Sequence, residues 1–258
     1  MIITLSPSKG QDFETPVKAT YTQPKSLDDS QLLIEESRKL NLQQLRELMD
    51  ISENIANLNL VRYQEFSRPF TRKNAKQALF AFKGDVYRGI EVDAYSTDDL
   101  KFAQAHLRIL SGLYGCLRPL DLIQPYRLEM KTKLANPRGD NLYQFWGERI
   151  TEMLNKDLIK QKDPVLVNLA SNEYFKSVKP KLLKGRLLNI SFKEEKNGNT
   201  RVIAIFAKRA RGLMTDFILR NRLEEAEAIK DFNLEGYQYK ANLSDDKQWT
   251  FSRPQPST

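Results

Sequence analysis

Strand-like runs occur at both ends of the chain and in its middle, with helical spacing between them. That distribution limits the fold to a mixed α/β (α+β) domain, one mixed sheet surrounded by helices. Ile2–Leu5 reads as a short buried strand closed by Pro7 and Gly10, and Val165–Leu169 as a second, bounded by Pro164 and by Ser171-Asn172. Leu79–Phe82 reads as another. Leu187–Phe192 and Arg201–Ala207 follow, and the Asn197-Gly198 pair between them favours a hairpin turn.

Between these runs the spacing is helical. Leucines from Leu32 to Leu48, with Met49, predict two helices, and Ser52 is placed to cap a third with Ile55, Leu58 and Tyr63 on its apolar face. Thr71 is expected to cap a short helix through Ala78. Leu100, Ala103, Leu107 and Leu110 step by helical intervals and predict a buried helix from Thr97 or Asp98 onward. One helix is expected over Leu142–Ile159 and another over Gly212–Leu223. No repeat, low-complexity tract or linker divides the sequence, so a single globular domain over 1–253 is expected, with 254–258 as a disordered tail.

The N-terminus lacks the basic and long apolar regions of a signal peptide. No apolar run approaches the roughly 18 residues that span a bilayer. Cys116 is the only cysteine and His106 the only histidine. An intramolecular disulfide is therefore impossible, a reducing cytoplasmic setting is expected, and His₃ or Cys₄ metal sites cannot be assembled from one chain. No cofactor is expected, since neither a P-loop nor a GxGxxG fingerprint is present. His106 reads as a satisfied core histidine and Cys116 as a structural thiol without a resolving partner. Ser6-Pro7-Ser8-Lys9-Gly10 follows a strand, so its amides and Lys9 are placed to meet an anion, although an ordinary turn has the same letters.

Charge carries the functional signal. The net charge is +8, which favours polyanionic partners. Three stretches, 118–138, 176–186 and 201–222, hold sixteen Lys and Arg against Asp121, Glu129 and Asp216. If they turn back over one sheet they form a shared basic cleft. Tyr126, Tyr174 and Phe175 interleave with them and offer faces for unpaired bases, with core packing the plainer use of Phe175. Ile109–Gly115 places two glycines around an apolar pair. It reads either as a helix-hairpin-helix-like element presenting amides and Arg118 to a phosphate, or as a glycine C-cap ahead of Pro119.

At these same stretches the chain resembles the YaaA family of bacterial peroxide-stress proteins. The segments are Leu5-Ser6-Pro7 with Lys9, Phe82–Tyr87, Leu110–Met130, Asn168–Val178, and Lys208 with Ala210–Met214. The resemblance implies a DNA-binding domain with a helix-hairpin-helix-like element in a positively charged cleft, associated with limiting iron-driven oxidative damage to DNA. On that resemblance Lys9, Lys83, Gly112, Gly115, Arg118, Arg127, Lys176, Lys179, Lys208 and Arg211 are the expected DNA-binding residues. Gly10, Lys131 and Cys116 depart from the family's usual threonine, glycine and aliphatic residue.

The expectation is a non-enzymatic protein holding double-stranded or locally unpaired DNA by its phosphates, with no membrane and no obligate protein partner. About six neutralised phosphates would give a salt exponent near −5. The alternative is an enzyme acting on an anionic or nucleotide-like substrate in a pocket lined by Lys83, Asp85, Arg127 and Glu173. A third reading has Asp85, Asp121 and Glu173 converge on iron.

Overall fold

The computed structural model describes residues 1–256. The first strand, β1 (Ile2–Leu5), is buried along its whole length. Its apolar run lacks alternation because neighbouring strands flank it and both of its faces are covered. The chain then turns through residues 6–9 into β2 (Gly10–Gln11).

Three helices follow as expected, α1 (Leu27–Arg38), α2 (Leu42–Met49) and α3 (Glu53–Glu65). A capping box opens α2: Asn41 accepts the Gln44 N–H, and the Gln44 side chain accepts the Asn41 N–H. Ser52 does stand at the start of α3, but the buried face is Ala56, Asn59 and Tyr63, while Ile55 and Leu58 face solvent. The helix expected from Thr71 is absent. Asn74 instead holds a turn by accepting the Thr71 N–H at 2.8 Å. Next come β3 (Lys76–Gln77), one helical turn, α4 (Ala78–Ala81), and β4 (Phe82–Lys83), which pairs back on β2.

α5 (Thr97–His106) stops four residues before the helical spacing predicts, and β5 (Leu107–Ser111) begins at once. Arg108 explains the switch. Its guanidinium donates to the carbonyls of Gln104, Ala105 and Leu107, taking over the helix end, and pairs with Asp157 at 2.8 Å. β6 (Gly115–Leu117) pairs antiparallel with β5. The expected helix-hairpin-helix is therefore a β-hairpin. A Cβ on Gly112 would come within 2.3 Å of the Leu128 carbonyl oxygen, and Gly115, at φ +70°, lies under the Trp146 ring. Both glycines are buried and present no amide to a phosphate. The short β7 (Leu122–Ile123) pairs with β3.

The single helix expected over 142–159 is two, α6 (Leu142–Trp146) and α7 (Arg149–Leu158), parted at Gly147. β8 (Val165–Asn168), α8 (Asn172–Phe175), β9 (Arg186–Lys196) and β10 (Asn199–Arg201) follow, and β9 turns into β10 at Asn197-Gly198 as predicted. The strand expected through Ala207 ends at Arg201. Beyond it, Ala207, Ala210, Met214 and Ile218 bury one face of α9 (Ala204–Arg220). Finally β11 (Gln238–Tyr239) and β12 (Gln248–Pro254) complete the sheet, and β12 runs parallel to β9 over seven residues. Pro254 lies in that strand and the Gln255 N–H bonds to Glu195, so the tail does not begin at 254. Ser257 and Thr258 lie outside the described residues.

The main sheet has the order β11-β12-β9-β8-β1-β5-β6, with β10 on β9. Its central strands β5, β1, β8, β9 and β12 are mutually parallel; β11 and β6 pair antiparallel at the two flanks and β10 pairs antiparallel with the end of β9. Among the described residues no helix is long and apolar enough to cross a membrane.

Candidate functional site

From β1 the chain next joins the sheet at β5, on one side; from β8 it continues to β9, on the other. β1 and β8 are neighbours, so their connections diverge and open a crevice beyond their carboxyl ends, the usual ligand position in a parallel sheet. The crevice encloses about 670 Å³, within the range of small-ligand sites.

Its floor is tied by short polar contacts. Ser6 Oγ after β1 accepts the Ser171 N–H after β8 at 2.8 Å, and Tyr87 donates its hydroxyl to the Ser6 carbonyl at 2.9 Å. One wall is the loop Gly84–Tyr87, another is Ser171–Tyr174, and the face of α9 carrying Ala204, Ala207, Lys208 and Arg211 closes the space. Helix and loop touch backbone to backbone: a Cβ on Gly212 would lie 1.8 Å from the Val86 carbonyl oxygen. That contact sets Arg211 beside the 84–87 loop.

The electrostatics are mixed. The buried carboxylate of Glu129 draws Lys9 and Arg127, each at 3.1 Å, and Lys131 at 3.8 Å. Asp85 pairs with Arg88 at 3.5 Å, and Glu173 accepts the Lys131 N–H at 3.3 Å. Lys208 and Arg211 have no carboxylate within ion-pair distance among the described residues. The Arg211 Nε is buried without an acceptor, and burial pulls its pKa below the ordinary guanidinium value.

Of the ten residues expected to hold DNA, the crevice gathers Lys9, Lys208 and Arg211. Arg127 lines the narrow recess beside it with Lys9 and Tyr174. Lys176 and Lys179 lie just past the wall, Lys176 over the Tyr143 ring at 5.2 Å. Lys83 turns toward Asp12 at 3.9 Å, and Arg118 is engaged by the buried Asp121 at 2.7 Å. The anionic partners follow the same division. Asp85 and Glu173 share the crevice, whereas Asp121 does not line it, and no group of three or more metal-ligating side chains occurs among the described residues. A hard-oxygen iron site needs converging acids, and Asp121 stands apart from Asp85 and Glu173.

Within the three basic stretches, Arg118, Arg127, Lys131, Arg138, Arg186, Arg209, Arg220 and Arg222 are all in ion pairs. Fewer bases of these stretches are therefore without acidic partners than the sequence suggests. Tyr126 is buried and bonds to Ser111, and burial raises its pKa, so it has no face for a base. Cys116 is buried in β6, where burial pushes its thiol up to about 12, far from the low values of peroxide-sensing cysteines. His106 is half-buried, with Nδ1 at 2.8 Å from the Met1 carbonyl and its ring stacked on Phe102. The central place of Glu129 was not legible, because its irregular segment has no periodicity to orient it.

A family model described as "Peroxide stress protein YaaA" matches residues 1–243. The chain belongs to that family. A protein from Cellvibrio japonicus (strain Ueda107), named "UPF0246 protein", is 54% identical over 257 residues, covering 99% of this chain and 100% of the relative. Membership in the YaaA family places the chain in the response to peroxide stress.

Proposed function

We propose that this YaaA-family chain serves the peroxide response as a DNA-binding protein, limiting iron-driven damage by holding DNA through its phosphates. One observation carries the reading. Lys176, Lys179, Lys181 and Lys184, with Lys208 and Arg211, have no carboxylate within 4 Å among the described residues, although most other bases of the same stretches do. Cations left without partners are those available to replace the counterions of a polynucleotide. Six such contacts predict a salt exponent near −5. Affinity should depend little on sequence, since contacts to phosphate set register and do not read bases.

The test is fluorescence anisotropy of duplex DNA titrated with the full chain over a series of salt concentrations. The expected result is a steep linear fall of log K with log salt, shared by unrelated sequences. Affinity that stays flat from low to moderate salt would overturn the proposal.

A second reading, an enzyme working on an anionic substrate, is favoured by the enclosure of Asp85 and Glu173 in the same crevice as Lys208 and Arg211. Turnover of nucleotide-like substrates that is abolished by Glu173→Gln, with DNA affinity unchanged, would select it.

A further inference from the structure

Among the described residues four arginines leave a buried side-chain nitrogen without an acceptor: Arg127, Arg138, Arg211 and Arg253. Three of them satisfy the rest of the guanidinium with a carboxylate, namely Glu129, Asp29 and Glu235. Arg211 has neither an ion pair nor a side-chain hydrogen bond among the described residues. The cost falls on the Nε, a polar atom withdrawn from water without a partner, while the side chain as a whole is only partly buried. Arg211 stands at the wall of the 670 Å³ crevice, where an anion from outside could reach it.

We propose that Arg211 anchors a site for a terminal phosphate, the phosphomonoester of a mononucleotide, in the crevice beyond β1 and β8. Lys208 stands one helical turn before Arg211 on the same face of α9, so two cations approach one dianion, and the planar fork of Arg211 suits two phosphate oxygens. The three carboxylates facing the space already have protein partners, Glu129 with Lys9, Arg127 and Lys131, Asp85 with Arg88, and Glu173 with the Lys131 amide. Leu169, Val202 and Ala204 add an apolar lining for sugar and base. A recess walled by two loops and a helix admits the end of a molecule more readily than a strand running through it. The inference stands apart from the DNA reading, which also draws on Lys176, Lys179, Lys181 and Lys184.

The experiment adds dAMP or inorganic phosphate to the full chain, with sodium chloride at matched ionic strength as reference. Thermal unfolding and ³¹P line broadening are the readouts. Binding of a ligand to the folded state alone raises the unfolding midpoint. The midpoint should rise with dAMP, and less with phosphate. Arg211→Met should weaken the dAMP affinity at least tenfold, and the exposed Lys208→Met should weaken it severalfold, while Lys39→Met, just past the end of α1, leaves it unchanged. If Arg211→Met does not fold, Lys208→Met decides. Matched chloride giving the same midpoint, or dAMP affinity intact in Lys208→Met, would overturn the site.

A terminal phosphate also occurs on DNA, and duplexes with a 5′-phosphate or a 5′-hydroxyl separate the sources. Tighter binding of the phosphorylated duplex that is lost in Lys208→Met assigns the site to DNA ends. Equal binding of the two duplexes, with dAMP bound, assigns it to free nucleotide. Loss of DNA binding with dAMP still bound would remove the DNA reading and leave this one standing.

Discussion

Arg108 and Arg211 are both drawn away from solvent, yet the regions around them differ in one respect. At the junction of α5 and β5, every arm of Arg108 is engaged, by three backbone carbonyls and the Asp157 carboxylate. At the crevice, Arg211 meets no such partner among the described residues. Where the chain itself completes a buried cation, the residue holds the fold. Where it does not, the completion comes from a ligand, and the fold tolerates the cost because the group is exposed on one side to the crevice.

This contrast can be broken most forcefully at the junction. Arg108→Met leaves Asp157 largely uncompensated and should cost about 3–5 kcal/mol, read from denaturant midpoints, whereas Arg211→Met should leave stability nearly unchanged. Equal losses in the two variants would erase the distinction. Gly212→Ala comes next: with the Val86 carbonyl 1.8 Å from the new methyl group, overpacking of about 1–3 kcal/mol is expected, along with weaker phosphate binding as α9 shifts from the loop.

The pH response should separate the regions too. Burial pushes the Asp157 carboxyl up, but Arg108, with help from Lys25, pulls it further down, below the usual carboxylate range. A carboxyl held low in the folded state stabilises above its unfolded value, so that contribution is lost as pH falls below about 4. In Arg108→Met burial meets only the longer Lys25 contact at 3.7 Å. The carboxyl then rises, and its contribution to stability should decline as pH climbs through its new value. Unfolding midpoints across the acid range check the change of sign.

Smaller effects belong to Lys176 and Lys179. Lys176→Ala or Lys179→Ala should each reduce the salt exponent of DNA binding by about 0.9, with little change in stability, as followed by anisotropy. Smallest of all is the effect of peroxide on Cys116. With its thiol pushed up to about 12, it should resist oxidation and alkylation in the native chain and react only once the chain is denatured, which mass spectrometry would read.

Much of the fold was legible where one physical signal dominated. The uninterrupted apolar runs at Ile2–Leu5 and Val165–Asn168, and the Asn197-Gly198 turn, are strands and a hairpin as expected. Reading failed where apolar residues fit two structures equally. Leu107, Ile109 and Leu110 suit a buried helix as well as a buried strand, and the tertiary contact of Arg108 with Asp157 decides between them. Ala204–Ala207 suits both as well, and burial along α9 decides for helix. The same limit applied at the site. Lys9, Lys208 and Arg211 were found by charge and resemblance, but which bases lack acids depends on partners far away in sequence, such as Asp99 for Arg222 and Glu91 for Arg220. Gly112 and Gly115 were misread because glycine marks close approach of any kind, here to Leu128 and Trp146.

The seating of β12 between β9, its parallel partner, and β11, its antiparallel one, has a consequence for biosynthesis. The ribosome delivers β9 more than fifty residues before residue 248, and until then one border of the longest strand stands bare. A nascent chain, or one cut before Gln248, therefore displays an adhesive edge, and completion of the sheet awaits Gln248–Pro254.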